Sequence, residues 1–125
     1  MFKKIDLIEK ISKRLEYTLI ENLSFEKCIA DFDTSDTFFY CDPPYMTKTD
    51  YKSFGISFTD EDHLKLFKIL KEIKGKFILS YNDCEKVREL YKDFIIEEVV
   101  RLNGIERRNI KNNYFKELLI RNYEI

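Results

Sequence analysis

The chain has 125 residues, 44% hydrophobic and 36% charged, with a formal net charge of -1. That balance reads as one soluble globular domain, and no run approaches the roughly 18 apolar residues of a membrane span. A near-neutral chain is not drawn to nucleic acid as a whole, so any such binding falls to a local basic patch. The glycines at 55, 75 and 104 are too far apart to form G-x-G, which excludes a dinucleotide fingerprint and a P-loop. Cys28, Cys41 and Cys84 are odd in number and dispersed, which suits reduced, mostly buried thiols better than a disulfide framework or a structural zinc site.

The N-terminus, MFKKIDLIEKISKRLE, lacks the unbroken apolar centre of a signal peptide, which places the chain in the cytoplasm. Ile5, Ile8, Ile11 and Leu15 recur at about helical spacing and predict a first helix. YTLIE (17–21) predicts a short strand, and SFEKCIADF (24–32) a short helix with Ser24 as its cap. TFFYC (37–41) reads as a buried strand. Thr59, with Asp62 three residues on, starts the next helix, whose stripe is Leu64, Phe67, Leu70 and Ile73 and whose stop is Gly75.

KFILS (76–80) is the following strand, and Asn82 with Glu85 caps a helix that buries Val87, Leu90 and Tyr91. FIIEEVVRL (94–102) and YFKELLIRN (114–122) predict an antiparallel hairpin around a polar loop. Strands alternating with helices imply an α/β fold of parallel units covered on both faces, about five strands in all, closed by that hairpin. Ligands of such sheets bind beyond the carboxyl ends of the strands. Glu21 and Asn22, Asp42 to Tyr45, and Tyr81 to Asp83 are the residues so placed.

Both prolines of the chain lie in FFYCDPPY, directly after a predicted strand. A proline pair fixes the backbone there and has no N–H, so Asp42 and the neighbouring carbonyls face the crevice without local donors. Such a site accepts hydrogen bonds. It suits a primary amine on an aromatic base: carboxylate and carbonyl hold the amine hydrogens, the nitrogen lone pair is left aimed at an electrophile, and Tyr45 offers a stacking face.

FFYCDPPY resembles motif IV of the amino-methyltransferases, and the chain is similar to the Dam-like (D12 class) DNA adenine-N6 methyltransferases. GKFILSYND (75–83), KELLIRNY (116–123) and IENLSFEKCI (20–29) match the family in order and interval. The resemblance implies a truncated Rossmann-like fold with S-adenosylmethionine as cosubstrate, DNA as partner and no metal. By position, it implies that Asp42 and the Pro43 carbonyl hold the N6 amino group beside Pro44, and that Tyr45 stacks on the flipped base. Ser24 and Phe25 would lie beside the cosubstrate's adenine ring, with Asp42 near its methionine part. Tyr51 and Phe54 would close over the target adenine. Arg107 and Arg108, grouped with Arg101 and Lys111 around a hairpin loop and offset by Glu106, read either as a phosphate-contacting patch as in related enzymes or as a plain solvated loop.

Plain alternatives stand beside these readings. DPPY could be a strand-ending turn, Phe25 a core residue, and Ser80, Asn82 and Asp83 simple helix caps. His63 has no second histidine for a metal site and reads as a surface residue. The family's glycine-rich loop normally lies upstream, as does its target-recognition domain, and the glycine census leaves no room for that loop here. The expectation is a single domain, 1–125, forming the C-terminal part of a catalytic domain. In the complete fold two strands separate those at 17–21 and 37–41. Without them, either these two pair directly or an open edge lies beside DPPY, inviting a homo-oligomer or a partner chain that supplies the missing half. The other functional class is a non-catalytic remnant or interaction module.

Overall fold

The structure, a computed structural model, describes residues 2–46, 57–102 and 114–125. In chain order these form α1 (Phe2–Leu15), α2 (Phe25–Phe32), β1 (Phe38–Cys41), α3 (Asp60–Glu72), β2 (Lys76–Asn82), α4 (Glu85–Leu90), β3 (Ile95–Leu102) and β4 (Tyr114–Arg121). The strands make a four-stranded mixed sheet in the order β1-β2-β4-β3. β1 and β2 run parallel, with Phe39 opposite Phe77 and Cys41 opposite Leu79. β4 is antiparallel to both β2 and β3, as the hairpin pattern of the sequence requires.

The sheet therefore has four strands among the described residues, where about five were expected. The missing one is 17–21. Tyr17, Leu19 and Ile20 are exposed, and residues 18–24 carry no regular structure. A strand needs a neighbour to take up its N–H and C=O groups, and no described strand lies beside this segment. β1 is in consequence an edge of the described sheet, and it is not buried as expected: Phe38 is 52% and Tyr40 66% exposed.

Helices cover one face. Phe77, Leu79 and Tyr81 of β2 pack with Ile29 of α2, Leu66 and Leu70 of α3, Val87 of α4, Tyr91, and Leu118 and Ile120 of β4. The expected coverage of both faces is not seen among the described residues, since Phe38 and Tyr40 point the other way and the described apolar residues of α1 (Leu7, Ile8, Ile11 and Leu15) are exposed. Tyr91 and Phe94 continue the core as aromatic edges, with Phe67 5.3 Å from Tyr91 and Phe77 5.2 Å from Phe94 between ring centroids.

Two of the three predicted helix caps are in place, and the third, Asn82, is not, because β2 continues through it. Ser24 caps α2 by accepting from Lys27 N, and Thr59 with Asp62 forms a reciprocal capping box on α3. The buried stripe of α3 is His63, Leu66 and Leu70, while Leu64 is exposed. Strict three-residue spacing drifts around a helix of 3.6 residues per turn, and steps of three and four follow the face that meets the sheet. For this reason His63, expected at the surface, is only 4% exposed. Its Nδ1 shares a hydrogen bond with the Tyr81 hydroxyl, and its ring stands edge-on to Phe58 at 4.7 Å.

Gly75 does not end α3, which stops at Glu72 with Ile73 as its cap. Its role is close approach. A side chain's first carbon there would sit 2.5 Å from the Thr37 carbonyl oxygen and 2.9 Å from that of Thr34. The Asp33 carboxylate accepts from Lys74 N and Gly75 N, and Thr37 O accepts from Lys76 N at 2.9 Å, tying the end of α2 to the start of β2. Gly75→Ala should destabilise the protein by roughly 1–3 kcal/mol, because backbone must move to admit the methyl group. Urea unfolding should show a lowered midpoint with little change in slope.

Burial pushes the His63 imidazole below its ordinary value, against the opposing pull of Asp60 and Asp62. A histidine held neutral in the fold contributes stability that is present above the unfolded value, about 6.5. That stability is lost as the pH falls through the lowered folded value. The urea midpoint should therefore drop between pH 7.5 and 5.5, and His63→Gln should flatten that dependence.

Candidate active site at the carboxyl end of the sheet

Parallel pairing of β1 and β2 brings both carboxyl ends to the same side of the sheet, where Asp42 follows β1 and Ser80 to Asn82 finish β2. Side chains alternate along a strand, so Ser80 faces the same way as Asp42 one step beyond the last β1–β2 pair. The Ser80 Oγ–H donates to Asp42 Oδ1 at 2.7 Å and lies 3.4 Å from the Cys41 carbonyl oxygen. Ser80 is 5% exposed, whereas Asp42 stands open to solvent. One carboxylate oxygen is thus engaged from below while the residue faces the crevice.

Pro43, Pro44, Tyr45 and Met46 are half-buried along the same edge. The Tyr45 ring packs against Tyr81 at 6.3 Å, tilted by 42°. Asn82 Nδ2 donates to the Met46 carbonyl at 3.2 Å, and its buried Oδ1 has no partner among the described residues. The structure does not use Ser80, Asn82 or Asp83 as caps: β2 continues through Asn82, and the cap position of α4 is Cys84, whose side chain makes no capping bond. Asp83 instead takes a two-pronged pair from Arg88, at 2.7 and 2.9 Å, and Arg88 also reaches Glu98. That guanidinium holds the Asp83 carboxyl below its ordinary range.

A cavity of about 250 Å³ adjoins DPPY, lined by Phe25, Cys28, Phe39, Cys41, Asp42, Pro43, Phe58 and neighbours. It joins one predicted cosubstrate residue, Phe25 at the first turn of α2, to the predicted amine acceptors Asp42 and Pro43. Phe25 is half-buried and its ring lies 5.6 Å from Phe58, so it is both packed and cavity-lining. Ser24 is occupied as the cap of α2 and does not line this cavity. Burial pushes the Cys41 thiol up to about 11, which keeps that wall neutral, and Asp42 is the one acidic residue among the described residues lining the cavity. The three cysteines are free and half-buried, more open than the expected buried thiols.

A larger cleft of about 950 Å³ opens on the other side of Met46, lined by Asp60, Leu64, Asp83, Lys86, Arg88 and others. Tyr51, Phe54, Arg107, Arg108 and Lys111 lie outside the described residues, and Arg101 lies at the end of β3 without a described side chain. Among the described residues no group of three or more metal-ligating side chains forms a metal site, and no helix is long and apolar enough to cross a membrane. Phe58 lines the cavity without having been marked by any sequence signal, whereas Tyr81, expected just beyond a strand end, lies within β2 and supports Tyr45.

The model of the D12 class N6 adenine-specific DNA methyltransferases matches residues 1–105. Among curated proteins, the Type II methyltransferase M.CviBI of Paramecium bursaria Chlorella virus NC1A is 32% identical over 87 residues, covering 67% of this chain and 32% of the relative. The chain thus spans about a third of the length of that relative. With DPPY at the carboxyl end of a parallel strand and the family match running over most of its length, the chain belongs to the D12 class N6 adenine-specific DNA methyltransferases.

Proposed function

We propose that this chain carries the amine-accepting part of a site that methylates adenine N6 in DNA. The observation that carries the reading is the cavity shared by Phe25, Asp42 and Pro43. In it, the Asp42 carboxylate and the Pro43 carbonyl accept the two N6 hydrogens and turn the nitrogen lone pair toward the methyl donor. S-adenosylmethionine, when bound, supplies the electrophilic methyl group. Phe25, with Ser24 holding the turn before it, forms the wall for the cosubstrate's adenine ring, and Tyr45 stacks on the flipped base. Positioning and exclusion of water are the main contributions, with no metal required.

Tyr51 and Phe54 would cover the target adenine, and Arg107 and Arg108 would meet DNA phosphates. The cavity is too small for a whole S-adenosylmethionine, and these residues contain no G-x-G loop for its methionine end. Since a second copy has the same sequence and no G-x-G of its own, polypeptide outside these 125 residues would supply that loop. The open edge of β1 and the exposed Tyr17, Leu19 and Ile20 are the places for it to dock.

Calorimetry with S-adenosylmethionine tests the reading on the 125-residue chain. Without the G-x-G loop, micromolar binding by the isolated chain is not expected; micromolar binding, weakened about tenfold by Phe25→Ala through loss of aromatic contact, would instead show an autonomous site. Absence of binding at millimolar ligand would exclude an autonomous site. Where transfer of labelled methyl groups to duplex DNA is measurable, Asp42→Ala should lower kcat by about a hundredfold or more, the scale of removing one preorganised polar group from a transition state.

A further inference from the structure

We propose that Ser80 and Asn82 are positioning residues that hold the DPPY segment in its working geometry, an assignment that rests on the reading of Asp42 as the amine acceptor. The segment has an unusual need for such support. Pro43 and Pro44 have no N–H, so two successive residues cannot be tied down by donating backbone hydrogen bonds. β1, from which the segment emerges, is four residues long and paired with β2 alone among the described strands. β2 is interior, flanked by β1 and β4, and its core side chains are fully buried.

Two side chains on that rigid strand reach the two ends of the segment. Ser80 donates to Asp42 Oδ1 at 2.7 Å at the start, and Asn82 donates to Met46 O at 3.2 Å at the end. The intervening Tyr81 points to the opposite face, where it supports Tyr45. The Ser80 bond selects one carboxylate orientation and occupies one oxygen, leaving Oδ2 as the acceptor for a base amine. A carboxylate free to rotate would present either oxygen in several directions and would hold the amine less selectively. The Asn82 amide is oriented by its partner, because a carbonyl accepts only from Nδ2. Neither Ser80 nor Asn82 touches the reacting atoms, so both act through Asp42 and the backbone.

Nuclear magnetic resonance on the full 125-residue chain tests this without requiring catalysis. Three-bond couplings to the Asp42 carboxyl carbon should report one rotamer in the wild type, averaged rotamers in Ser80→Ala, and one rotamer again in Ser80→Thr, which keeps the hydroxyl. Amide spectra and melting temperatures establish that each variant is folded. Equal couplings in the wild type and a folded Ser80→Ala would overturn the proposal. If Ser80→Ala does not fold, averaged couplings in the wild type or in Ser80→Thr would overturn it, and one rotamer in both would support it. Adenosine and purine riboside, which lacks the amine, form the second arm. Ser80→Ala should reduce the preference for adenosine roughly fivefold, the scale of one hydrogen bond, and leave purine riboside affinity unchanged. Wild-type protein that does not distinguish the two nucleosides would count against the amine-accepting role itself. The couplings still decide whether Ser80 orders the carboxylate.

Discussion

The site depends on the parallel pairing of β1 with β2. That register puts Cys41 beside Leu79, and one step further it places Asp42 against Ser80 and carries Asn82 toward the far end of the proline segment. A shift by one residue would turn Ser80 away from Asp42 and expose the Phe77, Leu79 and Tyr81 face at once, so the packing of the core and the geometry of the site enforce the same register. Gly75 and the Asp33 carboxylate set where β2 begins, and therefore which of its side chains reach DPPY.

The chemistry follows from what is withheld as much as from what is present. Two prolines remove donors, burial keeps the Cys41 thiol neutral, and Arg88 binds Asp83 and Glu98 away from the cavity. Asp42 is left, among the described residues, as the one acidic residue of a largely apolar and aromatic lining. On the function proposed above, such a surface suits a neutral base with an exocyclic amine better than a phosphate.

Local signals in the sequence were reliable where the physics is local. The caps at Ser24 and Thr59 and the hairpin pattern after residue 94 each rest on signals written in a few nearby residues, and each is found in place. Errors arose where a distant partner decides. YTLIE has the composition of a strand but no neighbour, so it forms none among the described residues. Leu64 and His63 exchange their expected environments because the sheet, not the spacing of leucines, selects the inner face of α3. Ser80 and Asn82 follow the plain pattern of helix caps, yet their bonds go to the end of β1 and the segment after it, 36 to 39 residues earlier in the chain.

By itself the sequence determined the family and the exclusion of a G-x-G loop from these 125 residues, because these depend on residue types in a short order. Only the tertiary structure decided which side chains support that site, which face of the sheet is covered and where an edge is left open. Those outcomes are set by strand register and by contacts between segments far apart in the chain, and neither is written in the spacing of neighbouring residues.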